Sequence, residues 1–213
     1  MKETIMKKMM MIAAMMVATI AAKAQFEPGT FTLQPKVGVD LATITADDSK
    51  YKFGLAAGIE GQYQLNNWFG LSAGLMYAQQ GAKVKNYDVK ANLEYLNIPV
   101  MAKFYVTKGL SLNAGLQLGF LTKAKAKASG DYYLENINGQ RVQELDIKSN
   151  CNKVDLSIPL SIAYEFENGL TFEARYATGL TNVGKNANET GNYSYLKNKN
   201  DVFMLTVGYK FSL

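Results

Sequence analysis

Leu110–Phe120 reads LSLNAGLQLGF, with Leu110, Leu112, Ala114, Leu116, Leu118 and Phe120 alternating against Ser111, Asn113, Gly115, Gln117 and Gly119. A strict period of two is the pattern of a β-strand with one apolar and one polar face. The polar face carries glycine, serine and amides, where a strand facing bulk water usually carries more lysine and glutamate. Small and amide side chains suit the crowded interior of a narrow barrel, in which eight strands leave room for side chains only. The run of about 11 residues is also the length a tilted strand needs to cross a bilayer.

Seven further segments repeat the pattern. Towards the N-terminus, Phe31–Thr45 sets Leu33, Val37, Val39 and Leu41 on one face, and 52–65 sets Phe53, Leu55, Ile59 and Tyr63 together. Residues 68–80 alternate Phe69, Leu71, Ala73, Leu75 and Tyr77 against glycine and serine, and 95–106 place Leu96, Ile98, Val100 and Phe104 on the apolar side. Towards the C-terminus the runs are 154–166, 170–180 and 203–213. The connections at Asn66-Asn67, Thr107-Lys108 and Glu167-Asn168-Gly169 are short. Those near 46–51, 81–94, 122–153 and 182–200 are longer and polar. Alternating short and long connections are the asymmetry of bacterial barrels, with short turns on the periplasmic side and long loops outside. The predicted fold is therefore all-β: a closed antiparallel up-and-down transmembrane β-barrel of eight strands.

Parity sends Phe31, Tyr63, Phe69, Phe104, Phe166, Phe172 and Phe211 outward near one rim, and Phe53, Tyr77, Phe120 and Phe203 outward near the other. Two such belts match the aromatic girdles of membrane barrels. Pro99 and Pro159 run against the scheme, since a closed barrel has no free edge to excuse a missing N–H. They are expected to mark bulges or points where pairing begins.

The N-terminus has Lys2, Lys7 and Lys8 before an apolar run from Met9 to Ala22, followed by Ala22-Lys23-Ala24. A basic start, a short apolar core and small residues at a cleavage point describe a secretory signal peptide. The expected division is 1–24 signal peptide and 25–213 barrel domain, with the protein exported to the outer membrane of a Gram-negative bacterium. The chain's net charge is +5, and Lys2, Lys7, Lys8 and Lys23 against Glu3 put +3 of it in the leader. The remaining +2 is no concentrated basic face, so nucleic-acid binding is set aside. Cys151 is the one cysteine, so no internal disulfide forms. Histidine is absent, which removes serine–histidine and aspartate–histidine hydrolases and histidine metal sites. No enzyme, cofactor or metal is expected.

The segments YLNIPVMAKFY (95–105), DLSIPLSIAYEF (155–166) and EARYATGLTNV (173–183) resemble the outer-membrane β-barrel family that includes PorT-like proteins. The resemblance runs from Leu33 to Leu213. It implies an eight-stranded barrel of mostly undefined role, with one branch serving protein secretion across the outer membrane. The ending TVGYKFSL (206–213), with Thr206, Gly208, Phe211 and Leu213, resembles the signal read by the barrel-assembly machinery. Leu213 replaces the more usual terminal aromatic. An exposed last strand can pair with an open edge of that machinery by β-augmentation.

Parity turns Glu60, Lys103, Asp155, Glu165, Glu173, Arg175 and Lys210 inward. Charge in a narrow lumen is costly unless paired, so these residues are expected to form an ion-pair network that plugs the barrel. A proton or solute path is the competing use. Lysines of the outer stretches, among them Lys83, Lys85, Lys90, Lys123, Lys125, Lys127, Lys185, Lys197 and Lys199, face either lipid phosphates or water. Tyr132, Tyr133, Tyr193 and Tyr195 are candidate anchors for a partner. The expected partners are outer-membrane lipid, the assembly machinery, and a secretion complex or surface protein. The alternatives are a narrow solute pore and a soluble periplasmic ligand-binding barrel, whose apolar residues would face inward.

Overall fold

The computed structural model describes residues 27–45, 49–84, 88–130, 132–136, 138–185 and 199–213. The expected signal peptide, Lys85, Tyr193, Tyr195 and Lys197 lie outside them. Eight long strands form the wall: β1 Phe31–Ile44, β2 Lys52–Asn66, β3 Phe69–Val84, β4 Val89–Tyr105, β5 Leu110–Ala128, β6 Val154–Glu165, β7 Leu170–Gly179 and β8 Asn200–Tyr209. Each pairs antiparallel with its sequence neighbours, and β8 returns to β1, so the sheet closes on itself. The seam is continued by Phe211–Ser212, where Thr32 faces Ser212 and Leu33 faces Phe211.

The alternation in sequence becomes an outer and an inner surface. Val37, Phe53, Leu55, Val100, Phe104, Leu116, Leu160 and Phe172 are exposed on the outside. Gln34, Gln62, Gln64, Ser72, Asn113, Gln117 and Ser161 are buried inside. This is the inverse of a soluble ligand-binding barrel, and it removes that alternative. Inward glycines let the wall curve tightly: a Cβ at Gly38 would lie 2.0 Å from the Leu205 carbonyl oxygen, and one at Gly115 2.0 Å from that of Val100.

The prolines behave differently from expectation. Pairing of β3 with β4 skips from Ala73–Val100 to Met76–Asn97, and β6 with β5 skips from Ser157–Gln117 to Leu160–Ala114. Neither skip shifts the register, so Pro99 and Pro159 are missing rungs and not bulges. Each is paired normally on its other side, Pro99 with Gln117 and Pro159 with Ala177. Pro35 does the same at the β1–β8 seam, between the Leu33–Phe211 and Lys36–Gly208 pairs. A proline is tolerated where its absent N–H removes one rung and the neighbouring rungs hold.

The outer connections also depart from expectation. Residues 81–84, 89–94 and 121–128 are strand, so β3, β4 and β5 rise well beyond the rest of the wall. The change rests on a bulge. Tyr95 faces Leu121 while Glu94 faces Lys123, which leaves Thr122 as the extra residue. Its hydroxyl donates to the Glu94 carbonyl at 2.8 Å. One inserted residue reverses side-chain parity. Beyond Thr122, Lys123, Lys125 and Lys127 share the outward face with Glu94, Asn92 and Lys90, and Ala124 turns inward beside Leu121.

Candidate functional site

Ten charged side chains are buried among the described residues: Lys36, Lys52, Lys103, Arg175 and Lys210 against Asp40, Glu60, Asp155, Glu165 and Glu173. Five cations meet five anions, so the lumen is formally neutral. Glu60 is the hub. Its carboxylate receives the Lys36 ammonium at 2.6 Å, the Lys103 ammonium at 2.6 Å and the Arg175 guanidinium at 3.5 Å. Glu173 takes Lys36 at 3.0 Å and Arg175 at 2.8 Å, and Arg175 Nε donates to the same Glu173 oxygen at 3.0 Å. The five side chains come from β1, β2, β4 and β7, so the network ties opposite walls together.

A second cluster lies nearer the short turns. Lys210 is ion-paired with Glu165 and donates to Gln62 Oε1 at 2.8 Å. The Tyr105 hydroxyl donates to Glu165 at 3.0 Å and accepts from Gln62 Nε2 at 2.6 Å. Gln62 and Gln64 are joined at 2.8 Å. Asp155 stands apart, accepting from the Thr181 hydroxyl at 2.6 Å.

Of the seven inward charges expected from parity, the structure brings Glu60, Lys103, Glu173 and Arg175 into one network and Glu165 and Lys210 into another. Lys36 completes the first network and was missed. Its signal was present: Gln34, Lys36 and Asp40 occupy the polar parity of β1, a strand read only for its apolar face. Asp40 was missed in the same way, whereas Lys52 stands on the polar face of β2 in the sequence and was left out of the inward charges. Asp40 is fully buried, neither oxygen has a hydrogen bond among the described residues, and Lys52 is its opposing charge.

The outer mouth is closed by other means. Leu93, Tyr95, Leu121, Ala124, Cys151 and Val183 form a buried apolar cluster, with Ile44 and Ile147 against it. Ile44 belongs to β1 and Leu121 to β5, on opposite sides of the ring, so the cluster spans the opening. Glu144–Asp146 adds a short strand beside β5, a 3₁₀ turn follows at Lys148–Asn150, and Cys151 bridges to Gly184. Glu144 accepts from Lys125 and, at 2.6 Å, pairs with Lys127. These two bonds pull its carboxyl down to about 2.

At the C-terminus, Thr206 and Gly208 face inward, while Phe211 and Leu213 are exposed. The Leu213 N–H donates to the Phe31 carbonyl at 3.0 Å. Tyr132 and Tyr133 are exposed in the connection after β5. No group of three or more His, Cys, Asp or Glu side chains that could hold a metal ion occurs among the described residues.

A family model described as outer membrane protein beta-barrel domain matches residues 23–184. No curated protein gives a significant sequence match. Among solved structures, the attachment invasion locus protein Ail of Yersinia pestis, crystallised with the heparin analogue sucrose octasulfate, is 18% identical at a TM-score of 0.48. That alignment covers 86% of this chain and 99% of the other. Neisserial surface protein A is 12% identical at a TM-score of 0.49, over 85% and 97% of the two chains. OprG of Pseudomonas aeruginosa is 15% identical at 0.44, over 89% and 99%.

Proposed function

The chain belongs to the outer membrane protein beta-barrel domain family, and from that premise we propose that it is a closed, non-conducting platform. It holds its outer extension and loops at the cell surface for contact with lipid or a protein partner. The protein is an outer-membrane β-barrel; the proposal concerns what the barrel does there. The observation that carries it is the lumen. An eight-stranded barrel leaves little free interior, and here five cations and five anions fill it, with hydrocarbon across its outer mouth. Such a lumen is built for rigidity, since seven of the ten charges are locked into ion pairs by fixed partners.

The test is conductance in a planar bilayer after purification in detergent. A folded barrel, seen as a band migrating faster unheated than boiled, should give no steady current. Reproducible ohmic steps from that same folded band would overturn the platform reading in favour of a narrow pore.

A finer reading is an accessory role in protein secretion, supported by the resemblance of YLNIPVMAKFY and its companion segments to PorT-like proteins. Deleting the gene and comparing exported proteins checks it, and an unchanged set of exported proteins would remove it. Export by cleavage after Ala24, and recognition of Thr206, Gly208, Phe211 and Leu213 by the assembly machinery, belong to the same proposal. N-terminal sequencing of the membrane form and a Phe211→Ser variant test them. Tyr132 and Tyr133, with Tyr193 and Tyr195, are the proposed partner anchors.

A further inference from the structure

Four strands place lysines directly opposite one another. Lys50 faces Lys83, Lys83 faces Lys90, and Lys90 faces Lys127. Adjacent strands lie about 4.8 Å apart, so the row is about 14 Å wide. Like charges directly opposite across a sheet are destabilising, and this row repeats the fault three times. Among the described residues only its far end is compensated, where Lys127 meets Glu144. Lys50, Lys83 and Lys90 form no ion pair among the described residues. On the same face Lys125 is held by Glu144, Lys123 stands 3.5 Å from Glu94, and Asp146 lies opposite Lys125. Lys90, Asn92, Lys123, Lys125 and Lys127 also line a cavity of about 350 Å³.

The height of the lysines identifies the ligand. Tyr77, Leu96 and Phe120 are level with one another, and Tyr77 and Phe120 belong to the outer aromatic belt. Such belts mark the boundary between hydrocarbon and headgroup. Lys123 is the next outward position above Phe120, and Lys83 and Lys90 are six residues above Tyr77 and Leu96. With about 3.3 Å per residue and a tilt of about 40°, the lysines rise from roughly 5 to 15 Å above the belt. The headgroup zone of an ordinary phospholipid leaflet is only about 5–8 Å deep. A glycerophospholipid therefore presents its one phosphate at the lower level and leaves the upper row unmet.

We infer that the outward face of β3, β4 and β5 binds a glycolipid of the outer leaflet whose sugar headgroup carries phosphates at more than one height, with Lys50, Lys83 and Lys90 on the upper phosphates. The Thr122 bulge serves this site by turning Lys123, Lys125 and Lys127 out of the lumen. The inference rests on the platform reading and names what one face of the platform holds.

The experiment uses the full barrel in detergent, the Lys50→Gln/Lys83→Gln/Lys90→Gln variant, and a Lys108→Gln control at an inner turn. The probes are lipopolysaccharide with a phosphorylated core, the same lipid treated with phosphatase, and phosphatidylglycerol. The triple variant should bind the phosphorylated lipopolysaccharide about a hundredfold more weakly, while the control binds as the parent does. Phosphatase treatment should reproduce the loss, and rising salt should weaken the parent's binding. Equal binding by parent and triple variant, or parent binding that ignores phosphatase or salt, would overturn the site. Equal affinity for phosphatidylglycerol, or for soluble inositol hexakisphosphate, would overturn the glycolipid assignment. Failure of the platform reading shows separately, as current through the same heat-modifiable band.

Discussion

The lumen between Lys210 and Arg175 is packed with paired charge, whereas the outer mouth, a few residues further along the same strands, is packed with Leu93, Leu121, Ala124 and Val183. Both regions exclude solvent, but they do it with opposite chemistry. The charged region is built from strand residues in strict alternation, with Lys210 one residue past the end of β8, so its partners are set by register. The apolar region draws on two loops and on a parity reversal. The charged part is therefore stiff and brittle to single substitutions. The cap is a separable layer that can be loosened without opening the wall.

That separation can be broken most severely at Ala124, which is fully buried. Replacing it with arginine forces a long charged side chain among Leu93, Leu121 and Val183. The expected outcome is rapid proteolysis across 121–153 with the faster-migrating barrel band retained. Loss of that band as well would show that cap and wall are one cooperative unit.

Next in size is Glu60→Gln, which leaves Lys36, Lys103 and Arg175 with Glu173 as the one carboxylate of their network. Stranding buried charge costs about 3–5 kcal/mol, read as a lower denaturant midpoint in detergent. Arg175→Met should cost less, because the two clusters together hold four cations against three carboxylates and losing one cation restores balance. An unchanged midpoint in Arg175→Met would count against a structural role for that guanidinium.

Leu121→Ala follows at about 2–3 kcal/mol of local stability, seen as faster hydrogen exchange at Leu93 and Ala124 and no change in the lumen.

The smallest effect is at Glu144. Bonds from Lys125 and Lys127 hold its carboxyl at about 2, below its ordinary 4.5. A depressed carboxyl contributes docking that is full above about pH 4.5 and is lost as pH falls towards 2. Exchange at Leu145 and Asp146 should rise across that window, more gently in high salt, because the pair is exposed and screened.

The comparison also explains what could be read in advance. Alternation gave the eight strands, both belts of aromatics and seven of the ten buried charges, because parity alone decides which face a strand residue takes. Lys36, Asp40 and Lys52 obey the same rule and were legible but left out of the inward charges. The cap was not legible. Val183, Cys151 and Ile147 sit in polar stretches with no period. LTKAKAKA (121–128) reads as a solvated loop until the inserted Thr122 is known. A bulge is fixed by which residue faces which on the neighbouring strand, and one chain's local pattern does not contain that.

The seam between β1 and β8 carries a further consequence. It joins Lys36 to Gly208, residues at opposite ends of the domain, and no shorter-range pairing substitutes for it. Closure therefore waits for the last strand to arrive. Until then β1 and β7 each present a row of open backbone groups, the kind of edge that recruits other chains. Closing so long a loop adds only slowly growing entropy, but pairing of such high sequence separation is slow. The chain's vulnerable period is thus set by the interval before β8 docks, and an escort during export would act by occupying those two edges.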